Sequence, residues 1–222
     1  MINRHIKGRI FIGMFFCVIL GIYCSGCSSS SSDVTTPHYK TFVTAATFDG
    51  DIKTAGGQST AIASADALCM ADTNKPAGGG TYKALLVDEI NRRACSTTRC
   101  AGGTSEHTDW VLKANTTYYR NDGTTPVLTT NANGIFDFKT DTAHPVDITN
   151  SFDDTATYIY WTGLDWPWVS LTSQMCGGSW SSNAGNPNNG DYGFSDRTDS
   201  SAIGGGNFYC DITDHHLLCV EQ

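Results

Sequence analysis

Apolar and polar positions along this chain change their period several times, and each change marks a different element. An unbroken apolar run from Ile10 to Tyr23 follows Arg4, Lys7 and Arg9 and precedes Ser25 and Gly26. That run has about 14 residues, whereas a membrane-spanning helix needs roughly 20. A basic start, an apolar middle and small residues at the end instead make a secretory leader over residues 1–26. Further on, Tyr39 to Phe48 is rich in Thr, Val, Ala and Phe without a breaker and predicts a first strand. Ser64 is positioned as a helix cap, Ala65, Leu68, Cys69 and Asp72 keep three-and-four spacing, and Pro76 with Gly78 to Gly80 ends the segment. Cys69 therefore falls on the apolar face of a short helix.

From Thr81 to Val87 the chain is apolar on both alternating faces, the pattern of a strand buried on both sides. Trp110 to Tyr119 predicts another strand, Asn121-Asp122-Gly123 and Asn133-Gly134 predict turns, and Thr155 to Leu164 predicts a central strand. Between Cys176 and Cys210 the chain is dominated by Gly, Asn, Ser and Asp, which predicts a long irregular region held at both ends. Leu217 to Val220 closes the chain as a last short strand. The sum is an α+β domain with a mixed, mostly antiparallel sheet, one or two short helices and a long loop region.

Charge narrows the choice of partner. Losing residues 1–26 removes three of the 14 basic side chains and none of the 22 acidic ones, leaving a net charge of −11. Polyanions demand clustered Lys and Arg, and the only basic pair is Arg92-Arg93 with Arg99 nearby. Nucleic acid is excluded on that ground. Residues 27–38, with the serine tract Ser28 to Ser32, form a tether, and residues 39–222 match the size of one domain.

Cysteine usage places that domain outside the cytoplasm. Of nine cysteines, Cys27 stands just where Ser25 and Gly26 permit cleavage, the position of the lipid-acceptor cysteine of a bacterial lipoprotein. An ordinary secretory signal would leave Cys27 as a reactive thiol beside six others. Cys24 is the poorer acceptor, because the ring of Tyr23 would occupy the cleavage position. One acyl chain attaches only marginally, at about 0.8 kcal/mol per buried methylene, so two or three chains make attachment lasting. The expected address is a bacterial membrane, the outer membrane or cell surface, reached through the lipid.

The remaining six, Cys69, Cys95, Cys100, Cys176, Cys210 and Cys219, are an even set in an exported chain and predict three disulfides. Zinc would need closely paired thiols, and only Cys95 and Cys100 are that close. Spacing alone leaves 15 possible pairings for six cysteines.

Candidate chemistry is sparse. Ser105, His107 and Asp109 suggest a triad, but alternate residues of a strand stand about 6.6 to 6.8 Å apart, whereas a nucleophile and its base approach to roughly 2.6–3.2 Å. No G-x-S-x-G, H-E-x-x-H or phosphate-cradling glycine loop is present; Gly204 to Gly206 follows no strand predicted here and precedes no helix. Asp211, Asp214, His215 and His216 invite a metal, yet adjacent histidines of an extended segment point to opposite faces. No metal site and no enzymatic activity are expected.

Three patches together resemble the C-type-lectin-like fold. Tyr160-Trp161-Thr162-Gly163-Leu164 is similar to its Trp-Ile-Gly-Leu core strand, Cys210 and Cys219-Val220-Glu221 to its closing cysteines, and Cys69 to the cysteine of its first helix. Thr81-Tyr82-Lys83-Ala84-Leu85-Leu86, Leu171-Thr172-Ser173-Gln174-Met175-Cys176 and His215-His216 before Leu217 resemble segments of the endostatin type. More fully, from about Tyr39 to Gln222, the chain resembles a family of bacterial exported lipoproteins whose shared domain has no assigned function. The resemblance implies the pairs Cys69 with Cys219 and Cys176 with Cys210, leaving Cys95 with Cys100 as a local clip. It does not carry over endostatin's zinc, for which no matching histidine cluster exists. Sugar-binding lectins of this fold chelate hydroxyls through calcium, and Asn183, Asn186, Asn188, Asn189, Asp191, Asp196 and Asp199 supply oxygens of the kind calcium prefers. Their sugar-site triplets are missing, however, and Asn186-Pro187-Asn188 lies on the wrong side of Cys176; no cofactor is carried over beyond that opening for calcium.

Aromatic side chains stack on sugars and dominate protein contact hot spots. Trp161 is expected in the core; Trp166 and Trp168, flanking Pro167, are expected at the surface and, with Trp180 and Tyr192, are the candidate ligand contacts. The expected function is a membrane-anchored, non-catalytic binding module, adhesin-like toward protein or glycan. A structural envelope lipoprotein without a small ligand is the alternative, and a hydrolase a more distant one.

Overall fold

The described residues form two sheets. The computed structural model describes residues 38–138 and 148–222, so the leader, Cys27 and the serine tether lie outside the described residues. Strands β1 (Tyr39–Val43), β2 (Tyr82–Ala84), β3 (Thr117–Tyr119), β4 (Pro126–Thr129) and β8 (Leu218–Glu221) form a five-stranded sheet in the order β2-β8-β1-β3-β4. Only the β1–β3 pair in it is parallel. Strands β5 (Ile159–Trp161), β6 (Asn189–Phe194) and β7 (Gly206–Tyr209) form an antiparallel three-stranded sheet in that order. With two short helices, α1 (Ile52–Gly56) and α2 (Ala61–Ala71), the architecture is mixed α+β. Pro37–Gln222 is one compact unit.

Several expected elements are shorter than their apolar runs. The first strand stops at Val43 because side chains interrupt the ladder: Thr44 N still donates to Leu217 O, but Leu217 N donates to Thr44 Oγ1, and the Asp72 carboxylate accepts from the N–H groups of Ala45 and Ala46. Of Trp110 to Tyr119 only Thr117–Tyr119 is strand, since Asn115 turns the backbone left-handed at φ 51°. Of Thr155 to Leu164 only Ile159–Trp161 is strand, and Gly163 at φ 69° ends the extended run. From Ala84 to Val87 both faces are buried as expected; Leu85 N extends the β2–β8 ladder by one rung to Leu218 O, and Val87 N reaches Thr162 O just beyond β5, so this segment joins the two sheets.

The cap of helix α2 lies four residues before the expected one. Thr60 Oγ1 accepts from Ala63 N at 3.1 Å, which is N-cap geometry, while Ser64 is buried within the helix and ties it to α1 by donating to Lys53 O and accepting from Gln58 N. Cys69 does face inward, fully buried. Its sulfur is joined to Cys219 in the middle of β8; Cys95 is joined to Cys100 and Cys176 to Cys210. Gly50 lies against the last of these bridges: a Cβ there would stand within 2.8 Å of atoms of both cysteines, and Gly50 N donates to Cys210 O.

A buried cation organises the larger sheet. Arg92 has no solvent exposure, and its guanidinium forks onto the Asp66 carboxylate at 2.8 and 2.9 Å while also reaching Ala84 O, Asp109 O and Asp109 Oδ2. Burial works against its charge, but the two carboxylates outweigh it and hold the Arg92 pKa above its ordinary value. The basic pair of the sequence is thus structural on its Arg92 side.

The expected irregular region from Cys176 to Cys210 contains β6 and β7. Its glycines are there for room. A Cβ on Gly190 would fall 2.7 Å from the Trp180 ring and 2.9 Å from both Cys176 Sγ and the Trp161 ring, and one on Gly193 would fall 2.3 Å from Ala202 O.

Candidate functional site

Three of the tryptophans are walled in. Trp161, Trp168 and Trp180 are fully buried, and each indole N–H donates to a backbone carbonyl, of Phe48, Phe136 and Val87 respectively. Trp161 was expected there; Trp168 and Trp180 were expected as ligand contacts and are core residues instead. The loop holding Trp168 folds over the core, with its ring stacked on Phe138 at 5.9 Å and edge-on to Phe136 at 4.7 Å. Trp166 is 39% exposed, but its ring neighbours are Phe138 and Arg99. Those of Tyr192 are Phe194, Phe208 and His215. The four candidates do not form one surface.

An aromatic surface does exist, on β6 and β7. Alternation across the register places Trp161, Tyr192 and Phe208 on one face of the small sheet and Asn189, Asp191, Asn207 and Tyr209 on the other. Phe208 and Tyr209 are 43% and 44% exposed on opposite faces of β7, and at the open edge of that strand they line, together with Asn189 and Asn207, a cavity of about 270 Å3. Composition concealed both aromatics, because they sit after three glycines and before a cysteine in a stretch that reads as loop. The usable signal was the alternation of Asn207, Phe208 and Tyr209 directly before Cys210.

Beneath this surface lie two unusual titratable groups. Asp191 is 4% exposed. Burial first, and the Asp165 carboxylate second, push its pKa up to about 7. The Gln174 amide lies beside it and donates to it when its nitrogen is the atom turned toward the carboxylate. His215 is stacked on Trp161 at 4.0 Å and is held from the outside by the exposed Asp214 carboxylate, which accepts from Nδ1 at 2.9 Å. Burial depresses its pKa against the pull of Asp214, and its Nε2 is buried without a hydrogen-bond partner among the described residues. His216 points elsewhere, with Nδ1 on Thr44 O.

The remaining candidates scatter. Ser105 Oγ donates to Gly102 O, His107 sits between Ala94 O and Asn133 O, and Asp109 pairs with Arg92 and Lys83. These three side chains are bonded to different groups and share no hydrogen bond. Among the described residues no group of three or more His, Cys, Asp or Glu is arranged to hold a metal ion. Of the calcium-type oxygens, Asn183 contacts Asp49, Asp196 accepts from Thr157 and Asp199 caps a turn at Ser201. A second cavity, about 220 Å3, is lined by Arg120, Asp122 and Asp154, but Arg120 already bonds Ser151 and Asp154, and Asp122 accepts from Thr124 and Thr125.

Residues 52–198 match a family described as "Protein of unknown function (DUF1554)". The matched span takes in both helices, β2 to β6 and Trp161, and it ends before β7. A search of curated proteins finds no match. The chain belongs to the DUF1554 family.

Proposed function

We propose that this member of the DUF1554 family is a lipoprotein, attached to a bacterial outer membrane or cell surface through a lipid on Cys27, whose C-type-lectin-like domain binds a protein or glycan without catalysis. The observation that carries it is the exposure of Phe208 and Tyr209 beside Asn189 and Asn207, where among the described residues Trp166 is the only other exposed large aromatic. Flat rings next to amide side chains combine apolar contact area with oriented hydrogen bonding, the composition of a recognition surface. Tyr192 belongs to this surface through its contact with Phe208. Support for the lectin-like fold comes from the bridge between the helix cysteine Cys69 and the last-strand cysteine Cys219, and from the second bridge closing the loop region. Support for a lipid anchor comes from the leader and Cys27; no helix among the described residues is long and apolar enough to cross a membrane.

The test is an array of glycans and host-surface proteins probed with the oxidised unit Pro37–Gln222, with calcium and with chelator. Saturable binding is expected to one class of ligand, weakened about tenfold or more, the equivalent of about 1.4 kcal/mol, by the double variant Phe208→Ala/Tyr209→Ala. No saturable ligand, or binding indifferent to that variant, overturns the proposal.

A further inference from the structure

Each sheet has two edges, and three of the four are closed. At β2, Tyr82 N donates to Met70 Sδ, Ala84 N donates to the Asp66 carboxylate and Ala84 O accepts from Arg92. At β4, Val127 O accepts from the N–H groups of Thr149 and Asn150, and Pro126 O accepts from the Asn150 side chain. At β5, Trp161 N donates to His216 O and His216 N donates to Ile159 O. The fourth edge is β7, whose four residues are all exposed.

The direction of its main chain follows from the register. Cys210 N donates to Asn188 O, making that a hydrogen-bonded pair, and Tyr209 lies opposite Asn189, Phe208 opposite Gly190 and Asn207 opposite Asp191. Antiparallel pairs alternate between bonded and non-bonded, so Phe208 bonds inward to β6. The N–H and C=O of Asn207 and the N–H of Tyr209 point outward. Tyr209 O is taken by Ile212 N. Among the described residues no hydrogen bond reaches the three outward groups of Asn207 and Tyr209. An edge of this kind templates the addition of another strand.

Charge selects the occupant. From Cys176 to the end of the chain the acidic residues are Asp191, Asp196, Asp199, Asp211, Asp214 and Glu221, against the single base Arg197, which lies over the Phe194 ring. Asp211, just beyond the strand, and Asp214, which accepts from His215 Nδ1, are both exposed. A second copy of this acidic edge would be repelled; a lysine- or arginine-bearing segment would be attracted.

We infer that β7 accepts an extended basic polypeptide segment, which joins the β5–β6–β7 sheet as a fourth strand through the outward main chain of Asn207 and Tyr209. Alternate side chains of the incoming strand lie beside Phe208 on one face and beside Asn207 and Tyr209 on the other, so an apolar–basic alternation fits both. This rests on the binding role proposed above and assigns its ligand to the polypeptide class.

The probe is a short synthetic peptide alternating Val and Lys, with a Val-Glu peptide as its acidic counterpart, measured against the unit Pro37–Gln222. The Val-Lys peptide is expected to bind saturably, with the Val-Glu peptide about tenfold weaker or more. Amide exchange at Asn207 and Tyr209 is expected to slow at least about tenfold in the complex, while solvent-exposed loop amides are unchanged. Asn207→Pro removes one outward donor and leaves the inward ladder intact, because that N–H faces away from β6; it is expected to weaken binding about tenfold, whereas Asn207→Ala changes it less than about threefold. If Asn207→Pro fails to fold, the exchange measurement on the unaltered protein decides alone. Peptide binding with free exchange at both amides overturns strand addition. Concentration-dependent protection of the same amides without peptide makes a second copy the occupant and overturns it too. A glycan that binds in a Phe208- and Tyr209-dependent way while the Val-Lys peptide does not overturns strand addition alone; no binding of peptide or array ligand overturns both proposals.

Discussion

The two sheets of this protein are stabilised by different means. The five-stranded sheet rests on aliphatic burial, on the Arg92 ion cluster and on a bridge, Cys69 to Cys219, that links residues 150 apart in sequence. The three-stranded sheet has few aliphatic residues; its strands close over Trp161 and Trp180 because Gly190 and Gly193 leave room, and its bridge, Cys176 to Cys210, spans only 34 residues. One sheet has both edges covered, while the other ends in an exposed aromatic strand. A fold can therefore place rigidity in one half and an open main-chain edge in the other without dividing into two domains.

The difference is most readily broken at the bridges. Removing the long one with Cys69→Ser/Cys219→Ser is expected to cost about 5 kcal/mol on the chain-entropy model, against about 2 kcal/mol for the local clip in Cys95→Ser/Cys100→Ser. Urea unfolding at equilibrium measures both, and equal shifts would refute the ranking. Next in size is Trp168→Ala, expected to cost about 3–5 kcal/mol as a large-to-small core change. Trp166→Ala is expected to cost under about 1 kcal/mol, given its exposure; paired melting curves check the contrast.

Titration gives a finer separation of the halves. Asp191, in the small sheet, has its folded pKa raised to about 7 from an unfolded value of about 3.9. Its contribution is fully present below the unfolded value and is lost as pH rises toward 7. Asp191→Asn should therefore flatten the decline in melting temperature between about pH 4 and 7. Glu106 lies in the loop that packs beside Arg93 and is the opposite case: hydrogen bonds led by the Thr97 hydroxyl, joined by donors of Gly102 and Ser96, hold it down at about 2. Its contribution is present above about pH 4.3 and is lost as pH falls toward 2, so Glu106→Gln should remove acid sensitivity in that lower window alone. Melting temperature against pH for both variants would show two separate windows. The smallest expected effect is Phe208→Ala/Tyr209→Ala, within about 1 kcal/mol of wild type by thermal melting, because both rings are already partly in water.

Much of the large sheet was legible in the amino-acid order. Three-and-four spacing put Cys69 on the inner face of a helix, double-faced apolar character announced Tyr82 to Val87, and the even cysteine count announced three bridges. Helix α1 was not legible, since five residues are too few to display a period and its signals, the Asp51 cap and Gly57 at φ 66°, are those of any turn. Strands β6 and β7 were hidden by glycines that look like breakers in a sequence and are spacers in the structure. The same blindness moved the candidate site: Pro167 made Trp168 look like a surface residue, and only Tyr192 among the named aromatics lies beside Phe208. Whether an aromatic faces water depends on what folds over it, and no local pattern records that.

Gly50 has a further consequence. Its backbone is seated against the Cys176–Cys210 bridge, and both sulfur-bearing residues are without solvent exposure. A small reductant approaching from solution meets main chain before it meets sulfur. Survival of this bridge is then governed by how often its cover lifts away, the segment around Gly50 on one side and β6 at Gly190 on the other, a matter of access and not of intrinsic reactivity, and a bulkier residue at position 50 would open the door to thiol attack.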